Sequence, residues 1–374
     1  MSGIGRALAP ALLWVGLSAL GHAAPTWPSD DGAVVETLPA RLGADRDRGR
    51  ADPRGALRTA HAYLDAAREQ GDARFAGLAM GALQAWRQPR RDPLEVVVMQ
   101  ATLAQHVHDF ARAAELLRAA LGRDPHHAQA WLTLATVRRV QGRLADSDAA
   151  CARLASAGEA VYGAACLAEN RALRGDIDGA RTAFGRLLAT SRDATLSAWL
   201  RVGLAQACEL AGAPDLAEAH YRRALALSPT PYARLALADL LLDARRPTEA
   251  ESVLAGMAPG DAVLLRRAIA ARALGRADAS ALARQLTERF DAASERGDDG
   301  SHLRERARHA LAVLGDAREA RRLARRNLAH QREPADWLIL ARASAALGDR
   351  DGLRRLRARM NDLEIRDARI DALH

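Results

Sequence analysis

A glycine followed by a small or polar residue recurs between apolar stretches of helical period, and nothing else in the sequence restricts the fold as strongly. It stands at Gly71-Asp72, Gly142-Arg143, Gly175-Asp176, Gly212-Ala213, Gly275-Arg276, Gly315-Asp316 and Gly348-Asp349. Several intervals are 33 residues: 142 to 175, 315 to 348, and 212 to Arg245, where arginine stands in for glycine. His108 holds the intermediate place in the long first interval. An alanine commonly follows five residues later, as at Ala76, Ala113, Ala180, Ala217, Ala250 and Ala320. Glycine accepts the backbone angles that end a helix, and a small residue lets two helices approach closely. The pattern therefore predicts helix–turn–helix units in series, which is how 374 residues with only 4% aromatics can fold without one large core.

The spacing and the residues within it resemble the tetratricopeptide repeat family. From Ala128, the residues Trp131, Leu134, Ala135 and Gly142 match that family's aromatic, leucine, small residue and turn glycine. The stretch from Leu94 keeps Ala101, Phe110, Ala113, Ala120 and Pro125, and that from Ala198 keeps Leu204, Ala205, Gly212, Ala217, Tyr221, Ala224 and Pro229. From Pro334, Trp337, Leu340, Ala341 and Gly348 match. The resemblance implies an all-α, right-handed superhelical solenoid of about nine units over residues 56–366, with 367–374 as a C-terminal tail. Each pair is expected to bury its remaining apolar face only against the next. The match is weakest over 261–300, a seam between sub-arrays or a decayed repeat.

Members of that family hold extended segments in a concave groove lined by their first helices. Carrying the lining positions over gives Gln105 and His106, Thr136 and Arg139, Tyr162 and Glu169, then Trp199, Gln206 and Glu209. Tyr232, Asp239 and Asp243 follow, and later units give Arg272, His309 and Arg342. The expected groove is acidic and aromatic in the middle and basic at its ends, which suits a basic or mixed-charge peptide. Members that hold a C-terminal carboxylate use clustered lysine, arginine and asparagine; with acids at the central positions, that role is not expected here.

Residues 1–23 read as an export signal. Arg6 gives a positive start, Ala7 to Leu20 an apolar stretch, and Gly21-His22-Ala23 a small-residue cleavage site. No later segment has 18 consecutive apolar residues. The expectation is a periplasmic chain without stable membrane insertion. Residues 24–55, with Pro25, Pro28, Pro39 and Pro53 and a charge run from Asp45 to Asp52, read as an extended linker. Export permits disulfides. Of Cys151, Cys166 and Cys208, at least one stays unpaired in a monomer. All three lie in apolar helical patterns, where cysteine acts as a small buried hydrophobe; Cys151 and Cys166, on consecutive helices, are the pair within reach of a bridge, and the sequence leaves both outcomes open.

The formal net charge is +8, and lysine is absent, so all 54 basic residues are arginine. Residues 301–374 carry 17 arginines against 11 acids, with Arg318, Arg321, Arg322, Arg325 and Arg326 on one helix and Arg354, Arg355, Arg357 and Arg359 on the next. A solvated convex face is the first reading, and an anionic surface contact the second. Export argues against nucleic acid. No phosphate loop, nucleophile elbow or Cys-x-x-Cys is present. His106, His108 and Asp109 fall in one turn and His126-His127 in another, about 15–20 Å away at the other end of the helices, so neither a metal site nor a cofactor is expected. The function read from sequence is a non-catalytic protein–protein interaction scaffold of the cell envelope. The alternatives are an assembly factor docking through the C-terminal arginines, and a metal-handling envelope protein.

Overall fold

The structure, a computed structural model, describes residues 52–70, 73–295 and 302–374. The leader, nearly all of the 24–55 linker, and the turns at Gly71-Asp72 and Gly297–Gly300 lie outside the described residues. Nineteen helices and no strand occur among the described residues. They form nine antiparallel pairs, numbered here as units 1 to 9. The pairs are α1 Pro53–Gln70 with α2 Ala73–Ala82, α3 Leu94–His106 with α4 Phe110–Leu121, and α5 Ala128–Val140 with α6 Leu144–Ser156. Next come α7 Ala160–Leu173 with α8 Ile177–Thr190, α9 Ala194–Leu210 with α10 Pro214–Leu227, and α11 Pro231–Asp243 with α12 Pro247–Leu254. The last are α13 Asp261–Ala273 with α14 Ala279–Glu295, α15 Leu303–His309 with α16 Ala317–Asn327, and α17 Pro334–Ala346 with α18 Arg350–Asp362; a short α19, Ala368–Asp371, follows.

From unit 2 onward, each first helix ends on a left-handed residue. Gly142, Gly175, Gly212, Gly275, Gly315 and Gly348 all have φ between 64° and 86°. The two positions where the sequence substitutes for glycine, His108 and Arg245, take the same angles at 63° and 59°. The acid after the turn then starts the second helix: Asp109, Asp176, Asp316 and Asp349 accept from the backbone N–H three residues on. The alanines five residues past the turn, Ala76, Ala113, Ala180, Ala217, Ala250 and Ala320, are all at 0% exposure, as are Ala101, Ala135, Ala205 and Ala341 on the first helices. Helix pairs this close have no room for larger side chains.

Helices α6 and α7 approach each other closely. A Cβ on Gly163 would sit 2.8 Å from the Cys151 carbonyl oxygen. There Cys151 and Cys166 form a disulfide with their Cα atoms 5.7 Å apart, while Cys208 is free and buried. The missing side chain at Gly163 brings the two helices within bridging distance, and this resolves the choice the sequence left open.

The expected open stack, each pair covered only by the next, does not describe the C-terminal third. The largest apolar cluster joins Leu144, Leu173 and Leu210 of units 3 to 5 to Trp337, Leu340, Ile365 and Ile370. The amide of Arg332, just before unit 9, donates to the carbonyl of Val140 at 2.8 Å, and that of Arg366, one unit later, donates to Leu173 at 2.8 Å. The coil thus returns upon itself after six units and seats the starts of its last helices on the turns of units 3 to 5. Gly142 and Gly175 make room: a Cβ there would lie 3.0 Å from the Arg332 side chain and 3.1 Å from that of Arg366. Residues 367–374, expected as a tail, carry α19, whose Ile370 is fully buried.

A left-handed angle costs a non-glycine residue about 1–2 kcal/mol, partly offset by the entropy glycine loses on folding. Arg245→Gly is therefore expected to raise stability by about 1 kcal/mol in urea unfolding, and Gly275→Ala to lower it by a similar amount.

Candidate functional site

The inner face of the coil is set by register from each turn. Counting back six residues places Thr136, Glu169, Gln206, Asp239 and Arg342 on one stripe, and counting back three adds Arg139, Glu209 and Arg272. In unit 8 the same count selects His309, and there the structure corrects the expectation. His309 is 4% exposed, packed edge-on at 5.7 Å against Phe290, and burial lowers its pKa. The cause is a π-helical turn over Ala310–Leu314, closed by the Asp316 amide donating to Ala310 at 2.8 Å. A π turn inserts one residue into the helical repeat. The inward place therefore falls to Arg308, which reaches Asp239 of unit 6.

The acids expected to line an open groove are all paired within the chain. Glu169 pairs with Arg139, Asp239 with Arg266 and Arg308, and Asp243 with both arms of Arg342 at 2.8 Å. Glu209 accepts from Arg369 at 2.7 Å and from the Tyr221 hydroxyl at 2.5 Å. Arg304, at the start of unit 8, binds Asp336 through two bonds of 2.6 and 2.9 Å and also pairs with Glu333. Asn327 donates to the same buried Asp336 at 2.7 Å. The inner face is thus a neutral lattice of guanidinium–carboxylate pairs, not an acidic surface awaiting a basic peptide.

The electrostatics follow from that lattice. Burial alone would raise the Asp239 carboxyl, but the Arg266 and Arg308 guanidiniums outweigh it and hold the group below its ordinary value. Glu333 is likewise held well below the carboxylate range, burial being overcome by Arg304 with help from Gln331. At Glu209 burial prevails over Arg369 and Tyr221, and its pKa is raised.

The aromatic members of the expected lining lie in the first halves of three consecutive first helices. The Tyr162 and Trp199 rings lean together with centroids 5.3 Å apart. Gln206 Nε2 donates to the Tyr232 hydroxyl at 2.6 Å, tying α11 to α9. Burial among the surrounding elements, together with the Glu333 and Glu169 carboxylates, pushes that hydroxyl up to about 12. Yet 59% of the surface of Tyr232 and 36% of that of Trp199 are open to water. Tyr232 is therefore surrounded by the chain yet solvent-accessible, in a hollow inside the coil and not in packed core.

The other expected positions are dispersed. Gln105 and His106 are half-buried at the end of α3, and the Thr136 hydroxyl bonds back to the Leu132 carbonyl at 3.1 Å. Arg272 is exposed and lies over the Gly315 turn of the next unit. His108 stacks on Phe110 at 5.6 Å, while His127 caps α5. No group of three or more His, Cys, Asp or Glu that could hold a metal occurs among the described residues. Sequence reasoning missed Arg266, Arg304, Arg308, Glu333, Asp336 and Arg369; the last is paired across 160 residues of sequence, a separation no repeat pattern marks.

These paired helices, turn glycines and inner stripe define an all-α helical-repeat solenoid. Residues 98–161, 167–230 and 211–263 match the tetratricopeptide repeat family. The matched stretches carry tetratricopeptide repeats, from unit 2 through unit 6 and up to the first residues of unit 7. No curated protein matches the chain. Among solved structures it is similar to a thermophilic tetratricopeptide repeat protein of Thermus thermophilus, at 25% identity and a TM-score of 0.42, over 49% of this chain and 99% of that one. PilW, described as a widely conserved type IV pilus biogenesis factor, overlaps at 21% identity and 0.42, over 53% of this chain and 94% of that one. PilF of Pseudomonas aeruginosa overlaps at 17% and 0.39, over 55% of this chain and 95% of that one. These overlaps are partial, and the assignment rests on the family match and on the geometry of the pairs. Repeats of this family support protein–protein interaction scaffolds. No described helix is long and apolar enough to cross a membrane.

Removing one charge from a half-shielded triad leaves two guanidiniums facing each other, so Asp239→Asn is expected to cost about 2 kcal/mol. A carboxylate whose pKa is depressed on folding stabilises the fold above its unfolded value and loses that contribution as pH falls toward the folded one. Native stability should therefore decline below about pH 4, and less steeply in Asp239→Asn, as read from denaturant midpoints at pH 6 and pH 3.

Proposed function

We propose that the protein is a non-catalytic interaction scaffold of the bacterial cell envelope, which receives a partner segment in its inner hollow against Tyr162, Trp199 and Tyr232. The observation that carries this reading is the run of three aromatics along consecutive first helices, two of them water-exposed, in a lining whose charges are already satisfied. With the carboxylates engaged by arginine, what the hollow offers an incoming chain is aromatic surface with hydrogen-bonding edges. Such surface anchors apolar or cationic side chains and gives up little conformational entropy. The earlier expectation of an acidic groove selecting a basic peptide gives way to one of aromatic anchoring.

Two features support export to an oxidising compartment: the leader-like pattern of residues 1–23 and the Cys151–Cys166 bridge, a kind of cross-link rare in the cytosol. The second reading, docking through the convex C-terminal arginines, is favoured by the exposure of Arg325, Arg326, Arg355 and Arg359 on α16 and α18.

Capture from envelope extracts tests these readings. Trp199→Ala and Tyr232→Ala together are expected to weaken retention of a specific partner at least tenfold with helicity unchanged, as truncating an aromatic anchor does. Retention of every partner would refute the hollow as the binding site, and loss only on neutralising Arg325, Arg326, Arg355 and Arg359 would transfer the function to the convex face. Fractionation of the producing bacterium should recover the chain in the periplasm with Cys151 and Cys166 unreactive toward thiol reagents. Recovery in the cytosol with both thiols free would refute the export reading.

A further inference from the structure

The contact that closes the coil is a repeated device, and the chain carries unused copies of both its halves. The seat is the end of a first helix: a turn glycine and, two residues before it, a carbonyl past the last intrahelical bond. Val140 with Gly142 and Leu173 with Gly175 form two seats, 33 residues apart. The plug is an arginine followed by an acidic N-cap at the start of a first helix. Arg332-Glu333 before α17 and Arg366-Asp367 before α19 form two plugs, 34 residues apart. In each the arginine amide donates to the seat carbonyl at 2.8 Å while the arginine stem crosses the glycine.

Further along the same edge the seats are empty. Nothing among the described residues lies within 4 Å of a Cβ placed on Gly275 or Gly348, and no donor among them reaches the Ala273 or Ala346 carbonyls. Two leucines stand beside turn glycines on this edge with much of their surface open, Leu274 at 41% and Leu314 at 52%. The opposite edge holds a plug with no seat. Arg192-Asp193 precedes α9 with Asp193 as N-cap, accepting from Leu196 N at 2.6 Å. Both residues are exposed, and the Arg192 amide donates to nothing among the described residues.

The two halves cannot meet within one chain. Seats lie on the edge that faces the following coil turn, and plugs on the edge that faces the preceding one, so the Arg192 plug points away from units 7 to 9. We propose that the exposed edge of units 7 to 9, at Leu274, Gly275, Leu314 and Gly348, docks the Arg192-Asp193 edge of a second copy of this chain, head to tail. The argument for a second copy is continuity: this edge extends the interface that units 3 to 5 already make with the chain's own later helix starts. The contact joins unlike surfaces, so it propagates and does not close as a symmetric dimer. Built from a few turns, it is smaller than a standard interface and gives concentration-dependent association.

Sedimentation velocity over a concentration series tests this with two variants. Leu274→Glu with Leu314→Glu spoils the seat at exposed positions. Arg192→Pro deletes the amide and the stem just before a helix, where proline is tolerated. The native chain is expected to rise in mean mass with concentration, each variant alone to stay monomeric, and an equimolar mixture of the two to form dimers and go no further, since it contains one intact seat and one intact plug. A native chain that is monomeric throughout overturns the proposal, as does association of the seat variant alone. A mixture that stays monomeric while the native chain associates shows that other surfaces are used, and overturns it equally.

Discussion

The structure depends on a backbone contact made possible by a missing side chain. From unit 2 onward each first helix ends on a left-handed residue, and where that residue is glycine the last carbonyls are turned outward with no Cβ to shield them. Where a later helix start supplies an amide, as Arg332 and Arg366 do, the exposed carbonyl is satisfied and one turn of the coil settles on another. Everything inside follows. The hollow is bounded, the charges of distant units are brought into register, and Trp337, Leu340 and Ile370 join the apolar residues of units 3 to 5 in a shared cluster.

Closure explains why a chain without lysine suits this architecture. Arginine offers a planar fork that stays charged and binds carboxylates through two bonds at once. Arg342 uses it on Asp243 and Arg304 on Asp336, the first joining unit 9 to unit 6, which neighbouring-pair packing would not hold together, and the second locking the consecutive units 8 and 9. A balanced lattice is costly to break and neutral overall, so it fixes the curvature of the coil while leaving recognition to uncharged surface. Tyr232 has its hydroxyl held by Gln206 and its ring open to water, and it is what that division leaves available.

Sequence reasoning succeeded where the information is local. The turn glycines, the substitutions at His108 and Arg245, the fully buried alanines and the nine pairs were all legible, because each is enforced by residues within one or two turns of helix. Groove-facing positions were legible only where the helix is regular: the stripe through Glu169, Gln206 and Asp239 holds, and it slips by one residue at His309 because nothing in the local sequence announces a π turn. The partners of the groove acids were invisible for another reason. Arg308, Arg342 and Arg369 lie 69, 99 and 160 residues from the carboxylates they meet, and their pairing is decided by how far the coil advances per turn, a property of all the units together.

The most direct test of closure is hydrogen exchange resolved at single arginine amides in dilute solution. Arg332 and Arg366 stand in turns outside any helix, where an open solenoid would leave their amides to exchange freely; the closed coil predicts strong protection at both, with Arg192 exchanging fast as the internal reference. Exchange at Arg332 and Arg366 as rapid as at Arg192 would contradict the account.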